Sequence, residues 1–170
     1  MVAPVVITIF AYLHILAGIS WLGASIFFVM VLAPGLQRLS PPTSLEFLAK
    51  VGRKATRYFM VAASATILFG LILLYFVIDG NFSSLTTSNF GITITIGFTL
   101  GLIAFLESAL LIVPTFNKAY DVADELIKNP PQGPPTELQA LMAKGGKEAV
   151  VDLGLLLAAV AFMVASGFPI

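Results

Sequence analysis

His14 is the only histidine in a 170-residue chain that has no cysteine, so any chemistry that needs an imidazole converges on one position. It lies in a stretch from Met1 to Gln37 that contains no Asp, Glu, Lys or Arg. At a rise of about 1.5 Å per residue, a helix starting near Val5 puts it roughly 14 Å deep, close to the middle of a hydrocarbon layer about 30 Å thick. An ionisable group at that depth is costly and marks a functional candidate. Gly18, Trp21 and Ser25 follow His14 at helical spacing, so one face presents an imidazole, a gap, a large ring and a hydroxyl. Such a face suits a porphyrin held edge-on with an imidazole nitrogen as axial iron ligand. The plainer role is a neutral histidine bonded to a serine or backbone carbonyl of a neighbouring helix. A haem ligated on both faces needs a second donor, for which the candidates are Met30, Met60, Met163 or the His14 of a second copy. Thioethers in apolar spans more often fill space. Copper(I) accepts the same nitrogen and sulfur donors, although no methionines cluster beside His14 in the sequence.

Three charged residues form a second constellation. Glu107 lies about 24 Å along the third apolar run, Asp152 about one turn into the fourth, and Arg57 at the start of the second. Their similar depth predicts a cluster just inside one membrane boundary, where arginine offsets the cost of carboxylates in hydrocarbon. A structural clasp is the first expectation, and a proton relay or ligand gate is the sharper one.

The elements that position these residues follow from composition. Hydrophobic residues make up 58% of the chain and charged ones 11%, roughly half the charged share of a soluble domain. The apolar residues come in long blocks, which predicts an all-α integral membrane four-helix bundle formed by a single transmembrane domain. The spans fall at about 5–32, 56–78, 91–113 and 149–167. Pro4 and Pro34 bracket the first, Asp79-Gly80 turns the chain after the second, and Pro114 stops the third. No basic residue precedes the first run, and its length exceeds a signal-peptide core, so it reads as a span of the mature chain.

All nine Lys and Arg residues fall in or at the edge of the loops 33–55 and 114–148. The retention of basic residues in the cytoplasm puts these loops inside and both termini outside, in a multi-pass protein of the cell membrane. The second of these loops contains a helix-compatible stretch from Lys118 to Lys128 and then the rigid run Asn129-Pro-Pro-Gln-Gly-Pro-Pro, read first as a surface connector and alternatively as an extended docking strip. Small residues should let the helices approach closely, or in places make room for a flat cofactor or a second copy of the chain: Gly18 with Gly23, Thr66 with Gly70, Gly97 with Gly101, and Gly154 with Ala158.

The segment Leu13-His14-Ile-Leu-Ala-Gly-Ile-Ser-Trp21-Leu-Gly23 resembles the first span of CopD-type membrane proteins, and HemJ-type protoporphyrinogen oxidases open similarly. Gly52-Arg53-Lys54-Ala-Thr-Arg57, leading into Ile67-Leu-Phe-Gly70-Leu, is similar to the basic approach and glycine-containing second span of those families. The resemblance covers about the first half of the chain. It implies a small helical bundle with a functional histidine in the first span, haem-linked in the HemJ type and copper-linked in the CopD type, and His14 is the position it carries over. The HemJ-type lysine inside the third span has no counterpart here.

These readings lead to a protein that binds haem b, or less readily copper, at His14 for electron transfer or metal handling. The alternative is a non-catalytic accessory subunit of a larger membrane-bound respiratory or oxidising complex. Its partners would be the lipid bilayer together with other membrane subunits or further copies of itself. A transporter ranks last, since no inverted repeat is detectable. A net charge of zero gives no reason to expect nucleic acid. No catalytic residue is assigned, because no nucleotide loop, zinc-protease helix or nucleophile elbow is present.

Overall fold

The computed structural model describes residues 4–130 and 133–167, with no strand among them. Four helices are long and apolar enough to cross a membrane: α1 (Pro4–Leu36), α2 (Pro41–Ile78), α3 (Asn89–Lys128) and α4 (Thr136–Ala165). The chain is an all-α, multi-pass membrane protein, as its apolar blocks require.

The helices continue well past the apolar runs. Pro34 and Pro114 were expected to end helices, yet α1 and α3 run through both. A five-residue π-helical turn precedes each proline, Phe28–Leu32 before Pro34 and Ser108–Ile112 before Pro114. A proline inside a helix gives no N–H to the carbonyl four residues back and its ring crowds that carbonyl. Widening the preceding turn relieves the crowding and keeps the helix continuous. The loop expected over 114–148 therefore contracts to residues 129–135 between α3 and α4. Two residues of its proline run, Pro131 and Gln132, lie outside the described ones. Much of the other expected loop is also helical. Ser40 is extended and Pro41 occupies the first turn of α2, where its missing N–H costs nothing.

Between α2 and α3 the turn is as anticipated. Asp79 and Gly80 both adopt positive φ, 47° and 76°, and the Asn81 amide donates to the Ile78 carbonyl at 2.8 Å. Ser88 caps α3, its Oγ accepting from the Gly91 amide at 2.9 Å.

The chain divides into two compact units, each taking a segment of every long helix. The first comprises Met1–Gly23, Val61–Phe105 and Gly154–Ile170. In it Phe10 packs between Phe69 and Phe76, with ring centroids 6.3 and 5.8 Å away. Gly97 brings α3 close to α4: a Cβ there would lie 2.9 Å from Met163 Cγ and 3.0 Å from the Ala159 carbonyl. Gly18 similarly packs against Thr66. The other small residues do not all serve as packing seams. Nothing lies within 4 Å of the Cβ positions of Gly23, Gly101 and Gly154.

The second unit comprises Ala24–Met60 and Leu106–Leu153. Its core gathers Leu36, Leu48, Phe116, Ala119, Tyr120 and Leu138. Phe28 meets Phe59 and Phe116 edge-on, at 6.1 and 5.4 Å. Gly52 lies directly beneath the Tyr120 ring, which occupies the space a side chain would need.

Candidate functional site

His14 sits part-buried on α1, and its Nδ1 is 2.9 Å from the carbonyl oxygen of Thr66 on α2. A carbonyl can only accept, so Nδ1 is the nitrogen that carries the hydrogen. In the neutral imidazole this leaves the lone pair on Nε2. Gly70 makes the arrangement sterically possible: a Cβ there would lie 2.8 Å from His14 Cε1 and 2.9 Å from Nδ1. One helix turn of α2 therefore fixes the ring from two sides, by a carbonyl at Thr66 and by a missing side chain at Gly70.

The imidazole lines a cavity of about 560 Å³ inside the first unit, a size usual for small-molecule and cofactor sites. Gly18 and Trp21 line it too, together with residues from α2, α3 and α4. Trp21 is only 3% exposed. Gly101 also lines the cavity and is itself buried, with nothing within 4 Å of its Cβ position. A side chain at position 101 would therefore grow into the cavity. The walls are otherwise almost entirely aliphatic or aromatic. Ile15 and Ile19 of α1 and Val160 and Val164 of α4 line the cavity while also being exposed on the exterior.

Of the four residues expected on the His14 face, three share this cavity. Ser25 does not: it is buried in the second unit and is not part of the lining. Of the candidate second donors, Met163 lines the cavity, whereas Met30 and Met60 belong to the second unit. The sequence singled out Gly70 and paired Gly97 with Gly101 first as packing residues, with room for a flat cofactor or a second copy as the alternative. Their roles as a seat for the imidazole and a wall of the cavity depend on which helix each faces.

The anticipated clasp among Arg57, Glu107 and Asp152 forms differently. Arg57 is exposed and makes no ion pair among the described residues. Asp152 is 4% exposed and accepts a hydrogen bond from Ser108 Oγ at 3.0 Å. Glu107 and Glu148 lie near enough for electrostatic interaction, Glu107 with both of the other acids. Lys144 reaches Glu148 at 3.8 Å. A hydroxyl, in place of the expected guanidinium, is what binds the buried aspartate. Depth alone aligned these residues, and similar depth does not put side chains of different helices on facing surfaces.

The arginine that does hold carboxylates is Arg53. It reaches Asp121 and Asp124 of α3, each at 2.8 Å, and its guanidinium lies 5.8 Å from the Tyr120 ring centroid. Tyr120 also shares a 2.9 Å hydrogen bond with Thr56. Asp121 and Asp124, three residues apart on one helix face, were the signal available in the sequence for this contact.

No family model, curated protein or solved structure matches the chain. Function must therefore be argued from the cavity itself. Among the described residues no group of three His, Asp or Glu could hold a metal ion, so a carboxylate-rich metal centre has no support. The donor chemistry centres on the nitrogen of His14.

Proposed function

We propose that this protein holds haem b in the membrane through His14 and serves as a one-electron carrier. The observation that carries the reading is the fixed imidazole: Nδ1 bonded to the Thr66 carbonyl at 2.9 Å, with Nε2 belonging to a ring that lines a cavity of about 560 Å³. Metal-ligating histidines commonly give their other N–H to a carbonyl, which fixes tautomer and orientation and raises ligand basicity. A flat macrocycle also suits walls thinned at Gly18 and Gly101 and closed by Trp21. The lining carries no Lys or Arg. It does reach Val77 and Phe90, which flank the polar turn 79–89 in the sequence, and a porphyrin's carboxylates would meet water there. When bound, the iron would supply the redox chemistry. The chain's own residues orient the ligand and exclude water.

The cell membrane is the proposed location, with both termini outside because Lys and Arg collect in the opposite loops. The first-half resemblance to CopD-type and HemJ-type proteins supports a functional histidine at position 14 and carries no reaction with it. Copper(I) bound by His14 is the lesser alternative. A second reading, an accessory subunit of a larger complex, draws on Gly154, which is exposed on α4 with nothing near its Cβ position, as a seat for a partner helix.

Optical spectra and metal analysis of protein purified from its native membrane test the proposal. A Soret band at one haem per chain, absent from His14→Ala, is the expected result. Colourless wild-type protein without iron would remove the reading, and stoichiometric copper in its place would favour the alternative.

A further inference from the structure

We infer that Met163 supplies the second ligand to the metal that His14 holds, an inference that rests on the haem reading above. The cavity lining contains few atoms able to donate a lone pair to iron. The indole of Trp21 is a donor only. The Thr66 hydroxyl, which donates to the Ala62 carbonyl at 2.8 Å, is a neutral alcohol and not among the usual ligands of haem iron, and the Thr66 carbonyl accepts from His14. The aliphatic and phenylalanine side chains offer nothing. His14 Nε2 and Met163 Sδ are the pair that remains.

The two donors are held by different helix contacts. His14 of α1 is seated against Gly70 of α2, whereas Met163 of α4 is seated against Gly97 of α3, whose Cβ position is 2.9 Å from Met163 Cγ. Both glycines remove a side chain at the point where a potential ligand is set. A flexible thioether would otherwise sample many rotamers, so the contact at Gly97 restrains the root of the side chain and limits where the sulfur can go. The histidine–methionine set is a combination that holds haem iron six-coordinate and raises its reduction potential relative to histidine alone. It would leave no open coordination position, consistent with a carrier and not with an oxygen-activating enzyme.

The experiment compares wild type, Met163→Leu and Met163→His, each purified in detergent and titrated with haemin. Wild type should give a low-spin spectrum with the near-infrared band of sulfur-to-iron charge transfer. Met163→Leu should keep a Soret band, because His14 remains, while losing the near-infrared band and binding added imidazole or cyanide at least about 10-fold more tightly. Met163→His should return to low spin without that band and with a lower midpoint potential. A Met163→Leu spectrum identical to wild type overturns the role of Met163 and leaves that of His14 intact. Wild type that takes up no haem overturns both.

Discussion

The two units of this chain solve opposite problems with the same four helices. Residues assigned to the first include a single charged side chain, Asp79, and enclose a cavity around one imidazole. The second holds all five ion pairs found among the described residues, the buried Asp152 and a tightly packed aromatic core. Charge alone would have drawn attention to the second unit. Yet several of its charges pair with one another and its buried Asp152 is held by a hydroxyl, whereas in the first the one imidazole is held through Nδ1 alone by a backbone carbonyl. In a membrane protein the informative polar group is the one whose partners fix its orientation without using all its valence.

Filling the cavity should break that contrast most completely. Gly101→Phe places a ring in the cavity without displacing a neighbour of the Cβ. Haem uptake should be abolished while thermal melting of the ligand-free protein stays equal or rises, measured by haemin titration and melting in the same detergent. Loss of both binding and folding would show that position 101 is a packing residue and not a cavity wall.

Unseating the imidazole should have a graded effect. Gly70→Ala puts a methyl 2.8 to 2.9 Å from ring atoms of His14, pushing the ring away from the Thr66 carbonyl. Disturbing the hydrogen bond that orients a metal-ligating histidine weakens metal binding by about 10- to 100-fold. Haemin titration of Gly70→Ala should show that loss, and unchanged affinity would mean that the ring adjusts without cost.

The corresponding intrusion in the second unit should leave ligand binding alone. Gly52→Ala forces the Tyr120 ring to move, and overpacking of this kind costs about 1–3 kcal/mol. Detergent unfolding curves should register the loss with a normal haem spectrum. A spectral change in Gly52→Ala would break the division between the two regions.

The smallest effect is expected at the buried acid. Asp152→Asn keeps an oxygen to accept from Ser108 and removes one of the negative charges that Glu107 meets. The variant should melt no lower than wild type, and Glu107→Gln should behave likewise, because among the described residues no arginine pairs with either. A marked destabilisation by Glu107→Gln would restore the clasp.

How much of this was legible beforehand divides along the same line. Long charge-free runs are a one-dimensional signal, so the four helices and the depth of His14 could be read from the residues directly. The face of α1 was also readable as far as Trp21, since helical spacing carries His14, Gly18 and Trp21 into one cavity. It failed at Ser25, a turn further on, where the same helix enters other surroundings. Pro34 and Pro114 misled because a π-helical turn can absorb a proline, and nothing in the flanking apolar residues signals that widening. Arg57 and Arg53 show a different limit. They lie one turn apart on the same face of α2, so the level at which α3 packs along α2 determines which one meets Asp121 and Asp124. The roles of Gly70, Gly97 and Gly101 needed the same information, since a glycine reveals only what it lacks.

The most direct test replaces the imidazole with a free one. His14→Gly, purified and loaded with haemin, should show no bound low-spin haem, and millimolar imidazole should restore the Soret band by entering the space the side chain left. Haem binding by His14→Gly equal to wild type without imidazole, or wild type that never binds haem, would contradict the assignment of His14 as the anchoring ligand.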